Sequence, residues 1–172
     1  MVKIEPLKME IFEIVATWLS KPQINKWLAS GWRGKQIDAK VLSIVTMKPS
    51  NKLFIVRYNN EPCGLVTLGC VDTIDKTGTL WYLLGEQQYG GKGIMTEAVR
   101  QVVRLVFKEL GLRSISASIM APNYNSRRVL EKIGFREVGT LRYGLELDGQ
   151  HVNRIVFDIL PEDLNDVMTT FP

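Results

Sequence analysis

The stretch Gln88-Tyr89-Gly90-Gly91-Lys92-Gly93-Ile94-Met95 falls between an apolar run that reads as a strand, Thr79–Leu84, and a long run with helical spacing, Ile94 to about Leu110. Glycines let a backbone bend until successive N–H groups face one point, and a helix N-terminus adds partial positive charge there. The stretch therefore predicts an anion site, best matched to a phosphate or diphosphate, with Lys92 as a nearby cation. Two other glycine loops are excluded by spacing. A Walker loop needs G-x-x-x-x-G-K-[ST], and here Lys92 is followed by Gly93. A dinucleotide loop needs G-x-G-x-x-G, and Gly91-Lys92-Gly93 is followed by Ile94, Met95 and Thr96.

Outward from this loop the pattern predicts an α+β fold. Ile94, Ala98, Val102, Leu105 and Val106 share one helix face, widened by Val99 and Val103, and Gly111 stands where a C-terminal glycine belongs. Ile115, Ala117 and Ile119 alternate with serines in a strand, and Tyr124–Ile133 reads as a helix closed by Gly134. Two further strands, Arg136–Leu147 and Val152–Leu160, are joined at Asp148-Gly149, a hairpin signal. Upstream, Leu53–Tyr58, Gly64–Val71 and Thr79–Leu84 read as an antiparallel meander, with turns at Asn59–Pro62 and Asp75–Gly78. Before them come a short strand, Val2–Leu7, and a helix over Glu10–Ser20. A second short helix carries Ile24, Trp27 and Leu28, and a turn lies between Gly31 and Gly34. The order implies helices on a mostly antiparallel sheet with one parallel crossover, between Thr79–Leu84 and Ser114–Ile119.

Composition narrows the class. The 172 residues carry 22 Lys and Arg against 18 Asp and Glu, a net charge of +4, and read as one domain, 1–172. That charge suits an anionic ligand but lacks the dense basic stripe of a nucleic-acid binder. No stretch reaches the length of an apolar membrane span, and charges near the start exclude a signal peptide, so a cytoplasmic protein is expected. Cys63, Cys70 and His151 cannot compose a zinc pattern, so no metal is expected, and both cysteines read as packing residues.

Two segments in the expected order resemble a known family. Gln88-x-x-Gly91-x-Gly93 is similar to the acyl-CoA loop of the GCN5-related N-acetyltransferases (GNAT). Asn123-Tyr124-Asn125-Ser126 through Glu131-Lys132-Ile133-Gly134-Phe135 is similar to that family's N-x-x-S and e-k-x-G-F segment. The likeness is strong over about 79–138, and the stretch from Trp18 to Leu28 looks like the branch of ribosomal-protein and polyamine acetyltransferases. The resemblance implies a three-layer fold, a mixed, mostly antiparallel sheet with helices on both faces. It implies acetyl-CoA as cosubstrate, its diphosphate on the loop formed by Gln88, Tyr89, Gly90, Gly91, Lys92, Gly93 and Ile94. The pantetheine arm is then expected beside Leu83 and Leu84, with Asn123 contacting the pantetheine or thiol region and a slot where that strand splays from the next.

Amine acetylation requires loss of a proton from the amine, an oxyanion donor and protonation of the departing thiolate. Many family members use a helix tyrosine as that acid, but the matching position is Leu130. Ser126 is the expected substitute, with Tyr124 as a second possibility. No base is named among Glu61, Asp72, Glu86, Glu146 and His151, since Thr79 stands where relatives carry a glutamate, and a water relay serves equally. Trp27, Trp32 and Arg33 are expected over the acceptor groove, where they suit a ring-bearing or anionic acceptor. The expected activity is acetylation of a primary amine on a small metabolite, such as an amino sugar, polyamine or antibiotic, by a monomer or homodimer. The alternatives are protein N-terminal acetylation and a non-catalytic acyl-CoA-binding regulatory domain.

Overall fold

The computed structural model describes residues 1–164. Strands β1 (Val2–Pro6), β2 (Lys52–Tyr58), β3 (Glu61–Asp72), β4 (Thr77–Leu84), β5 (Ser114–Met120), β6 (Arg136–Leu147) and β7 (Gln150–Ile159) form one sheet, ordered β1-β2-β3-β4-β5-β7-β6. Every pairing is antiparallel except β4 with β5. Helices α1 (Phe12–Ser20), α2 (Pro22–Asn25) and α3 (Ala39–Met47) precede β2, α4 (Ile94–Leu110) makes the crossover between β4 and β5, and α5 (Tyr124–Ile133) follows β5.

Strand alternation divides the interior into two cores. Phe54 and Val56 of β2 join Ala98, Val102, Leu130 and Phe157 on the face covered by α4 and α5. Leu53 and Ile55 join Val15, Trp18, Leu19 and Leu42 on the face covered by α1 and α3. Both faces of β2 and β3 are therefore apolar, which explains their near-continuous hydrophobic runs.

Local differences from the sequence reading have local causes. Helix α3 was not predicted. Its N-cap is Asp38, whose Oδ1 accepts from Val41 N–H at 2.9 Å; its packed face is the short stripe Val41, Leu42 and Val45, of which Leu42 alone is fully buried, while Ile44 and Met47 are exposed and blur the pattern. β3 begins earlier than expected because the turn is only Asn59-Asn60, both at positive φ (51° and 71°), and a register shift at Val56/Arg57 accommodates Pro62. The second helix ends at Asn25 rather than reaching Leu28, and the chain goes on in tight turns. Leu105 is half-exposed, outside the buried face of α4. Cys63 is buried, and burial pushes its thiol up to about 11, whereas Cys70 is exposed at φ 52° where the β3–β4 ladder breaks. Cys70 is therefore not a packing residue.

Candidate active site

The site begins at a fork in the sheet. β4 and β5 pair from Thr77↔Ser114 to Leu80↔Ala117 and then separate, while Ser118, Ile119 and Met120 of β5 pair with β7. Gly85 N–H donates to the Cys63 carbonyl at 2.8 Å, and every second residue of an antiparallel ladder turns both polar groups to the same neighbour. Leu83 therefore faces β3 with its N–H and C=O, and its carbonyl lies against Gly64. Tyr82 and Leu84 turn theirs into the open side of the fork. The sequence reading paired Leu83 with Leu84; the register separates them.

At the end of β4 the chain makes a 3-10 turn, Gln87–Tyr89, in which Tyr89 N–H donates to the Glu86 carbonyl and Gly90 N–H to the Gln87 carbonyl. Two donors of the expected anion loop are thus engaged. Gly91 and Gly93 both adopt φ 73°, which suits glycine, and a Cβ at either would meet no atom within 4 Å. The first helical bond of α4 runs from Glu97 N–H to the Gly93 carbonyl at 3.0 Å. The N–H groups of Ile94, Met95 and Thr96 precede it and are the orphan donors of the helix start. Gln88 and Lys92 are exposed outside the cavity, and Lys92 Nζ lies over the Tyr89 ring, 5.6 Å from its centroid. The cations of α5 that line the same cavity are Arg128 and Lys132, which the motif reading missed because it followed the loop alone.

One cavity of about 650 Å³ runs from this loop through the fork to the opposite face of the sheet. Ser126 lines it, half-buried, near the start of α5, where Asn123 Oδ1 accepts its N–H at 3.2 Å. Asn123, also in the lining, is therefore the cap of α5. Tyr124 is 68% exposed and lies outside the lining, which removes it as an acid for this cavity. Tyr82 was missed. Its phenol reaches across the fork to donate to the Ser126 carbonyl at 3.0 Å, and burial raises it above its ordinary value.

The opposite mouth is held by Asn25. Its Nδ2 donates to the carbonyls of Leu19 (2.8 Å) and Trp32 (3.1 Å), and its Oδ1 accepts from Gly34 N–H (2.7 Å). This clasp sets Trp32 against Trp81, ring centroids 5.6 Å apart, and both line the cavity with Trp27. Arg33 does not join them. It donates to the Glu146 carbonyl at 2.7 Å on the outside of the β6–β7 hairpin, so two of the three expected acceptor residues face the cavity.

None of the acidic or histidine candidates lines the cavity. Glu86 instead fixes the loop: its Oε1 accepts from Trp18 Nε1 at 2.7 Å and Lys21 Nζ at 3.1 Å, and these bonds hold its carboxyl below the ordinary range. Gly85 allows the contact, because a Cβ there would lie 2.1 Å from the Trp18 ring. His151 is exposed beside Tyr143, and Thr79 pairs its hydroxyl with Ser116 Oγ at 3.2 Å.

The model of the acetyltransferase (GNAT) domain family matches residues 2–136, most of the chain and all of the loop and fork. The chain belongs to that family. A Bacillus subtilis protein named "Putative ribosomal N-acetyltransferase YdaF" is 31% identical over 106 residues, 62% of this chain and 57% of that one. Another from the same organism, "Probable N-acetyltransferase YjcK", is 43% identical over 88 residues, 51% and 48% of the two chains. The chain thus spans about half the length of these curated relatives. Among solved structures, spermidine N-acetyltransferase from Vibrio cholerae in complex with CoA and spermine superposes with a TM-score of 0.83 at 17% identity, covering 94% of this chain and 96% of that one. The fold expected from the GNAT resemblance is the fold observed.

Proposed function

We propose that this GNAT domain is an acetyl-CoA-dependent N-acetyltransferase acting on a primary amine of a small molecule. The observation that carries the reading is the single cavity that joins the glycine loop to the tryptophan-lined mouth through the β4–β5 fork. The residues present fit CoA: glycines open to the surface at Gly91 and Gly93, orphan N–H donors at the start of α4, and Arg128 and Lys132 in the lining of the same cavity. Acetyl-CoA supplies the activated acyl group. The loop N–H groups from Gly91 to Thr96 hold the diphosphate, and the polar groups of Tyr82 and Leu84 receive the pantetheine arm as a partner strand would. A backbone N–H in the fork serves the carbonyl oxygen, and Leu84 is placed to supply it.

In the transfer, the amine nitrogen bonds to the acetyl carbon, the C–S bond breaks, and the sulfur gains a proton as the amine loses one. Ser126 is the proposed donor to sulfur, and the Tyr82 phenol supports it by fixing the first turn of α5. With no carboxylate or imidazole lining the cavity among the described residues, the proton of the amine leaves to water.

Relatives named for small-amine acceptors support the small-molecule reading: an aminoglycoside N(6')-acetyltransferase at 28% identity and a spermidine N(1)-acetyltransferase at 26%. The ribosomal relative favours a second reading, acetylation of a protein N-terminus. Thiol release from acetyl-CoA with a panel of small amines and an N-terminal ribosomal-protein peptide tests both. Cofactor binding with no release for any acceptor would instead indicate a non-catalytic acyl-CoA-binding domain.

A further inference from the structure

We propose that the acceptor is a small amino acid-like molecule whose carboxylate binds Arg154 and whose aromatic or branched body lies among Trp27, Trp32 and Trp81. The proposal rests on the acetyltransferase reading and names its acceptor class. On β7, Ile155, Phe157 and Ile159 point into the α4–α5 core, so Arg154, one residue before Ile155, points to the face that carries Trp32 and Trp81. Arg154 lines the cavity and pairs with Met120, three residues and about 10 Å along β5 from the last β4–β5 pair.

Its Nε is buried without a hydrogen-bond partner, and no ion pair among the described residues engages its guanidinium. Arg154 is half-buried and stays charged at any physiological pH, so an anion arriving in the cavity meets a cation that no carboxylate among the described residues already holds. The fold makes room for this side chain. The β6 ladder slips between Leu141 and Leu145, and a Cβ at Gly144 would come within 3.1 Å of the Arg154 Cβ.

The same lining argues against polycations. Among the described residues it contains Arg128, Lys132 and Arg154 but no Asp or Glu, so the second and third ammonium groups of a polyamine or aminoglycoside would meet cations there and no carboxylate. At the hairpin tip, Asp148 is paired with Lys26 at 3.7 Å. The tilted Trp32–Trp81 pair offers an aromatic or branched side chain two apolar walls.

The test compares L-tryptophan and L-phenylalanine with their carboxamides and with spermidine, reading thiol release from acetyl-CoA. Calorimetric binding of N-acetyl-L-tryptophan to the CoA complex gives a readout independent of turnover. We expect kcat/KM for the free acids to exceed that for the amides by about 10- to 100-fold, the range of a charge-assisted hydrogen-bonded pair. In Arg154→Met that ratio should fall to about one and N-acetyl-L-tryptophan binding should be lost, while stabilisation by acetyl-CoA persists. Preference for spermidine or the amides, or an unchanged ratio and binding in Arg154→Met, overturns the proposal. If acetyl-CoA does not stabilise the wild type, the acetyltransferase reading itself fails, and the acceptor class with it.

Discussion

Gly91→Glu, compared with Gly111→Glu, isolates the diphosphate site from the general cost of replacing a left-handed glycine. The two positions are matched: Gly91 has φ 73° and Gly111 has φ 60°, and a Cβ at either meets nothing within 4 Å. Both flank α4, whose 17 residues put them roughly 25 Å apart. An L-residue in this conformation costs about 1–2 kcal/mol. With about 2.1 cal/mol/K of unfolding entropy per residue, a chain of 172 residues loses about 2.8 °C of Tm per kcal/mol. Each variant should therefore melt about 3–6 °C below wild type without ligand. CoA at a hundredfold excess over Kd stabilises the folded state by about 2.7 kcal/mol, or about 7–8 °C. Wild type and Gly111→Glu should both show that rise in a thermal-shift titration. Gly91→Glu should show little, because its carboxylate stands where the diphosphate approaches the N–H groups. A full CoA shift in Gly91→Glu would refute the placement of the diphosphate on this loop, whatever the apo melting temperatures.

Three other outcomes are expected. Ser126→Ala should lower kcat by about 10²–10³-fold with KM for acetyl-CoA little changed, whereas Tyr82→Phe should cost less than about tenfold; the reverse order would make the phenol the proton donor. Because no carboxylate or imidazole among the described residues lines the cavity and burial keeps Tyr82 protonated, log kcat/KM for the acceptor should rise with unit slope as pH rises to the amine's own pKa. An inflection between about pH 5 and 8 would reveal a side-chain base. Gly85→Ala should lower Tm by about 6–8 °C, since a Cβ 2.1 Å from the Trp18 ring forces an overpacking cost of about 2–3 kcal/mol; an unchanged Tm would show that the indole does not occupy that space.

The two ends of the cavity differ in how they are encoded, and that difference explains what could be read in advance. The CoA side is written in contiguous residues, the glycine loop entering α4 and the Asn123–Ser126 cap of α5, so motif and local structure coincide. Even there, donor identity depended on tertiary detail: the 3-10 turn engages Tyr89 and Gly90, and the β3 register takes Leu83 out of the fork. The acceptor side draws on Trp27 and Trp32 from the first third of the chain, Trp81 on β4, Met120 on β5 and Arg154 on β7. No local pattern links these residues. Arg33, beside Trp32 in sequence, lies on the outer side of the hairpin, while Arg154, more than a hundred residues later, lines the cavity with Trp32. β4 shows how one strand serves both ends. In the proposed function Trp81 belongs to the acceptor face, Tyr82 and Leu84 belong to the CoA face, and the gap beyond Leu80↔Ala117 lets the two meet. A one-residue slip of β4 would exchange its faces and remove both sites together. The long β3–β4 ladder, from Gly64↔Leu84 to Gly69↔Thr79, fixes that register. It is therefore a functional constraint as well as a source of stability.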